Sequence, residues 1–221
     1  MRSLPLPLTL TARLSPVAVL ATVGWALSSG PLAPAPAAGR EPAPTRTATQ
    51  SPSAPSASAA SKTYTTAPAP CQGVGEKTVG TLVPGAKTAG KEIPSTDRTT
   101  RRTCTWNALK GYDYRWLDVT FDITDSADYA HRSYLDRITE KSGGGAVPGL
   151  GDEAYSVVNL TTEDKQQTRE GVVIARADNA LVVVTYNGSD FESKKAPGTD
   201  EINKGAIKAA KEAVAALGKD R

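Results

Sequence analysis

The stretch RWLDVTFDIT, Arg115 to Thr124, alternates without a break. Leu117, Val119, Phe121 and Ile123 share one parity, and Trp116, Asp118, Thr120 and Asp122 the other. A period of two places successive side chains on opposite faces, so this segment is a strand with one apolar face. Working outward, Cys104-Thr105-Trp106 begins a strand before it, and Asp125, with Asp128 three residues on, is the expected N-cap of a helix after it. That helix is expected to run to about Lys141, with Ala127, Ala130, Tyr134 and Ile138 inward, and to end by Gly143. Upstream, Gly75 to Val83 reads as a short helix stopped by Pro84-Gly85, and residues 85–102 read as a polar loop. Downstream, Glu153 to Leu160 is a strand, and Gly171–Ala177 and Leu181–Tyr186 form a hairpin about Asp178-Asn179. Asp200 to Leu217 closes the chain as a helix with Ile202, Ala206, Ala210, Ala213 and Leu217 on one side. The order α-β-β-α-β-β-β-α predicts an α+β fold, a mainly antiparallel sheet with helices packed on one face.

Composition divides the 221 residues into three parts. From Pro31 to Pro70, 32 of 40 residues are Pro, Ala, Ser or Thr. Such a segment has too little apolar surface to offset the entropy of ordering, so residues 38–70 are expected to be a disordered tether. Leu14 to Leu27 is an uncharged run of 14 residues after Arg2 and Arg13, followed by Ala35-Pro36-Ala37. A positive start, a short apolar centre and small residues before Ala38 describe a secretory signal peptide over residues 1–37. A retained membrane anchor is the alternative, although 14 residues fall short of the ~20 that span a bilayer comfortably. Either way residues 71–218 are left as one extracytoplasmic domain, secreted or held at the outer face of the membrane.

The charge is +3 overall, with 26 Lys and Arg against 23 Asp and Glu. Residues 1–69 hold five of the basic residues and only one acid, Glu41, which leaves 21 basic and 22 acidic residues for the domain, a net of −1. No basic stripe suits a nucleic acid. In an exported chain the only two cysteines, Cys71 and Cys104, are read as a disulfide.

Four short features occur in one order: Cys71, Leu82-Val83-Pro84, Cys104-Thr105-Trp106 and Gly149-Leu150-Gly151-Asp152-Glu153-Ala154. In this the chain resembles the actinobacterial exported proteins grouped as domain of unknown function 3558. The resemblance covers about residues 70–217 and implies a cell-envelope protein with no assigned activity and no catalytic residues to transfer. The lipid-attachment cysteine common in that group is missing here.

Catalytic templates find little purchase. His131 is the only histidine and stands in a charged stretch beside Arg132, where a solvated surface position is expected. Two cysteines and one distant histidine do not complete a zinc site, and the sequence has no G-x-S-x-G or H-E-x-x-H. Asp118 and Asp122 share a strand face, about 13 Å apart by strand rise, wider than the carboxylate pairs of glycosidases. The acid pairs at 152–153 and 163–164 lack EF-hand spacing. Gly143 to Gly151 is glycine-rich but no Lys-Ser/Thr follows, so it reads as a tight connection. No cofactor or metal is expected.

Aromatic side chains give the best candidate contact surface. Tyr112, Tyr114 and Trp116 share the parity opposite the Leu117-Val119-Phe121 core, interleaved with Lys110, Asp113 and Arg115. Such a patch stacks a sugar ring or anchors a protein, or else a second layer covers it. Tyr186 to Phe191 is a weaker candidate that reads mainly as a turn. The expectation is a non-enzymatic binding or interaction module for an envelope protein or glycan, touching the membrane only through an uncleaved N-terminus. A cell-wall hydrolase using carboxylates and a purely structural stand-off domain are the alternatives.

Overall fold

A computed structural model describes residues 62–218. The segment expected to direct export, 1–37, and the expected tether as far as residue 61 lie outside the described residues, as do the last three. Seven strands form one antiparallel sheet: β1 (Lys91–Ile93), β2 (Arg101–Lys110), β3 (Asp113–Ile123), β4 (Gly145–Ala146), β5 (Glu153–Glu163), β6 (Gln166–Ala177) and β7 (Ala180–Asp190). Their spatial order is β1-β2-β3-β7-β6-β5-β4. Three helices join them: α1 (Glu76–Leu82), α2 (Ala127–Thr139) and α3 (Thr199–Ala216).

The α+β class holds, and the element order gains two short edge strands. β1 lies inside the segment read as a loop, and its three residues are too few to show a period. β4 forms where the glycine-rich connection folds back to pair with Tyr155 and Ser156. Asp164 and Lys165, both at positive φ, close the β5–β6 hairpin, the conformation a type I′ turn requires at both central residues. β7 runs on to Asp190, so residues 186–190 belong to a strand and not to a turn.

The helices do not share one face. Ile202, Ala206, Ala209, Ala210 and Ala213 of α3 and Val79 and Leu82 of α1 pack with Leu117, Val119, Phe121, Val173, Val182 and Val184. Tyr134 of α2 packs instead with Val157, Val172, Ile174 and Leu181. Val172 and Val173 are adjacent on one strand and therefore point to opposite faces. The cause is legible in β6: residues Gly171 to Ala175 are all buried, the continuous pattern of a strand covered on both sides.

Several local devices hold this arrangement. Ser126, not Asp125, caps α2, its Oγ accepting from the Tyr129 N–H at 3.1 Å, since the helix begins at Ala127, one residue later than expected; the Asp125 carboxylate takes the Lys62 ammonium at 2.7 Å. Cys71 and Cys104 form a disulfide. Gly90, at φ +66, lies against the Cys104 sulfur and the Trp106 indole, where a Cβ would come within 2.6 Å of both. Glu212 of α3 accepts from the Gly75 N–H at 2.9 Å and the Thr78 hydroxyl at 2.6 Å, so a side chain of α3 ties down the N-terminal end of α1. The Tyr186 hydroxyl donates to the Leu82 carbonyl at the other end of α1, at 2.8 Å.

The folded unit begins earlier than residue 71. The Asn179 side chain accepts from the Tyr64 N–H at 2.9 Å and donates to the Tyr64 carbonyl at 2.8 Å. Thr63 bonds Asp178, and the Ala67 N–H donates to the Thr99 carbonyl at 2.7 Å. Residues 62–67 are thus strapped to the end of the sheet formed by the β6–β7 turn. Among the described residues no helix is long and apolar enough to cross a membrane.

Candidate functional site

The β2–β3 turn, Gly111-Tyr112, lies at the opposite end of the central strands from that strap. Asp113 pairs with Asp190 there, while Ile123 pairs with Ala180 beside the strap. Tyr112 is 58% exposed, and Leu109 and Phe191 stand exposed with it at 58% and 47%. Tyr114 and Trp116 are half-buried and meet edge to face with centroids 6.3 Å apart, and Phe191 lies 6.0 Å from Tyr114. Phe191 is tied to the turn through its N–H, which donates to the Tyr112 carbonyl at 2.9 Å. Tyr114 and Trp116 therefore gather with Phe191, Leu109 lies opposite Tyr114 on the neighbouring strand, and Tyr112 stands exposed in the adjoining turn. Trp106 does not join them: it is 2% exposed in the opposite face, its indole N–H donating to the Thr88 carbonyl at 2.9 Å.

What surrounds the aromatics is set by strand register. Asn107 of β2 pairs with Trp116 of β3, Trp116 with Asn187 of β7, Asn187 with Glu170 of β6, and Glu170 with Asn159 of β5. Directly opposed residues on antiparallel strands share a face, so these five form one row across five strands. α2 covers the part of that face holding Val157, Val172, Ile174 and Leu181. None of the five row residues is fully buried. Toward the hairpin end of β5 and β6 the face continues as an open polar groove of about 600 Å³, lined by Asn159, Thr161, Gln166, Thr168 and Glu170 among others.

The carboxylates that the sequence offered are mostly engaged and spread apart. Asp118 accepts from the Trp116 indole at 2.6 Å, and Asp122 from Arg137 at 2.6 Å. Burial and then the charge of Asp118 push the Tyr114 phenol above its ordinary range. Glu153 accepts from Arg176 at 2.7 Å and from His131 at 2.8 Å. The Arg176 hydrogen bond is the main cause that holds its carboxyl below the ordinary value. His131, expected to be merely solvated, is thus the partner of a half-buried acid. Among the described residues no group of three or more His, Cys, Asp and Glu gathers as metal ligands would.

Sequence reading identified Tyr112, Tyr114 and Trp116 by parity, held Asn187 only within the weaker 186–191 candidate, and did not single out Asn107, Asn159 or Glu170. A local signal existed: each is a polar residue on a strand rich in apolar or β-branched neighbours. Nothing local places the four beside one another.

No family model matches the chain, and no curated protein does. Among solved structures, a protein from Bacteroides thetaiotaomicron VPI-5482 aligns over 54% of this chain and 47% of its own at 10% identity, with a TM-score of 0.33. The chain thus spans about half the length of that protein. The structure of Ara h 8.0201 aligns over 69% of this chain and 89% of its own at 11% identity, with a TM-score of 0.20.

Proposed function

We propose that this is an exported, cell-envelope domain of the group known as domain of unknown function 3558. It acts as a non-enzymatic binding module whose contact surface is built on Tyr112, Tyr114 and Trp116. The observation that carries this reading is the half of one sheet face that α2 leaves uncovered, where these aromatics collect with Leu109 and Phe191. Large apolar side chains exposed together at one end of a sheet mark a contact surface more often than isolated ones do. The dispersal of Asp118, Asp122 and Glu153, each bound to its own partner, favours binding over carboxylate hydrolysis, which needs two acids flanking one bond. The Cys71–Cys104 disulfide supports an oxidising compartment. The test is co-sedimentation of the purified protein with the isolated envelope of its native host. The double variant Tyr112→Ser/Tyr114→Ser should lose capture by about tenfold, or about 1.4 kcal/mol. Tyr129→Ser, which removes an exposed tyrosine from α2, should not. Equal capture of all three proteins would refute the assignment.

A further inference from the structure

We infer that the ligand of this face is an uncharged glycan chain, lying across the strands along the row Asn107, Trp116, Asn187, Glu170 and Asn159. The inference rests on the binding reading above and names the chemistry of its ligand. Four steps between neighbouring strands make the row about 19 Å long, a span for several consecutive sugar rings.

The polar groups decide the class. Three amides each offer a donor pair and an acceptor, and the Glu170 carboxylate offers acceptors only. Among the described residues none of these four side chains has a hydrogen bond or ion pair, whereas Asp118, Asp122, Glu153 and Glu212 all do. Covering four free polar groups with an apolar surface would leave each unsatisfied, at a cost of about 1–3 kcal/mol apiece. A ligand dense in hydroxyls, each both donor and acceptor, satisfies them. Trp116, with Tyr114 against its edge, adds aromatic surface inside the same row.

Charge then selects among glycans. The flanking rows on this face, Leu109-Tyr114-Ser189 and Lys91-Thr105-Asp118-Thr185, hold a single cation, Lys91, at the β1 edge of the sheet. Arg115 and Arg169 lie at the alternate parity and are committed to Asp113 and Glu201 and to the Pro197 carbonyl. A phosphate- or uronate-bearing chain lying along the row would meet Asp118 and Glu170 with only Lys91, out at the sheet edge, to compensate.

The test is NMR titration of the full chain, isotope-labelled, with three fractions of the host envelope: neutral polysaccharide, acidic polysaccharide and protein. The neutral fraction should shift the Trp116 indole N–H and the side-chain amides of Asn107 and Asn187, and leave the Trp106 indole unmoved. Asn107→Ala/Asn187→Ala should keep the melting temperature, because neither side chain is bonded within the described fold, yet weaken binding of that fraction about tenfold. Shifts at these groups from the acidic polysaccharide alone would overturn the uncharged character of the ligand, and shifts from the protein fraction alone the glycan assignment, while the binding surface stands. No shift on this face from any fraction would overturn both.

Discussion

Replacing Asn179 by Ala should release the N-terminal strap and destabilise the whole domain. Asn179 is fully buried, and its side chain makes three hydrogen bonds: from the Tyr64 N–H at 2.9 Å, to the Tyr64 carbonyl at 2.8 Å and to the Thr124 carbonyl at 2.9 Å. At about 1 kcal/mol net for each, truncation costs about 3 kcal/mol, because the partners keep their desolvation without their bonds. For a domain of this size that lowers the melting temperature by about 6–12 °C. The backbone bond from Thr124 N–H to the Asn179 carbonyl, at 2.8 Å, survives the change, so the β6–β7 turn itself should persist. Two readouts are needed: thermal unfolding by circular dichroism, and hydrogen exchange at the Tyr64 amide. Asn179→Asp keeps the acceptor for Tyr64 and loses both donors while burying a carboxylate against two carbonyls, so it should fall at least as far. A drop under about 0.5 kcal/mol with Tyr64 exchange unchanged would refute the claim that this side chain holds the strap.

Three further outcomes follow from the geometry. The Cys71–Cys104 bridge, spanning 33 residues of chain, should stabilise the domain by about 3–4 kcal/mol on the chain-entropy estimate. Protein recovered from the native host should therefore resist alkylation until reduced, and its melting temperature should drop on reduction; free thiols in the isolated protein would contradict the bridge. Gly205→Ala should cost about 1–3 kcal/mol by overpacking, because a Cβ there would come within 2.6 Å of the Tyr186 ring; unchanged stability in denaturant unfolding would show that α3 is free to shift. Glu153 has its folded pKa held below the ordinary 4.5, chiefly by Arg176. Its contribution is therefore present above that value and lost as pH falls through the folded pKa, so Glu153→Gln should flatten the stability–pH curve on the acid side only; an unaltered acid limb would count against the pairing.

Whatever depends only on neighbours along the chain could be read from the amino acids alone. The period of two at Leu117, Val119, Phe121 and Ile123 set a strand and its buried face, and the spacing of Ile202, Ala206, Ala210 and Ala213 set a helix, because both patterns are complete within one element. Two cysteines admit only one intramolecular bridge. Tyr114 and Trp116 were legible for the same reason, as parity on one strand, whereas Tyr112 falls in the turn that precedes it. Tertiary structure decided the rest. An apolar run such as Gly171 to Ala175 is compatible with cover on either side, so only the packing of Tyr134 and Ile202 showed helices on both faces. β1 and β4 are too short to carry a period and exist because β2 and β5 offer them an edge. Tyr64 looked like part of a featureless Pro/Ala/Ser/Thr arm until Asn179, 115 residues away, was seen to bind its backbone. The row from Asn107 to Asn159 is wholly a matter of register. Pairing between strands is chosen by burial across the entire sheet, and no local stretch of sequence contains that choice.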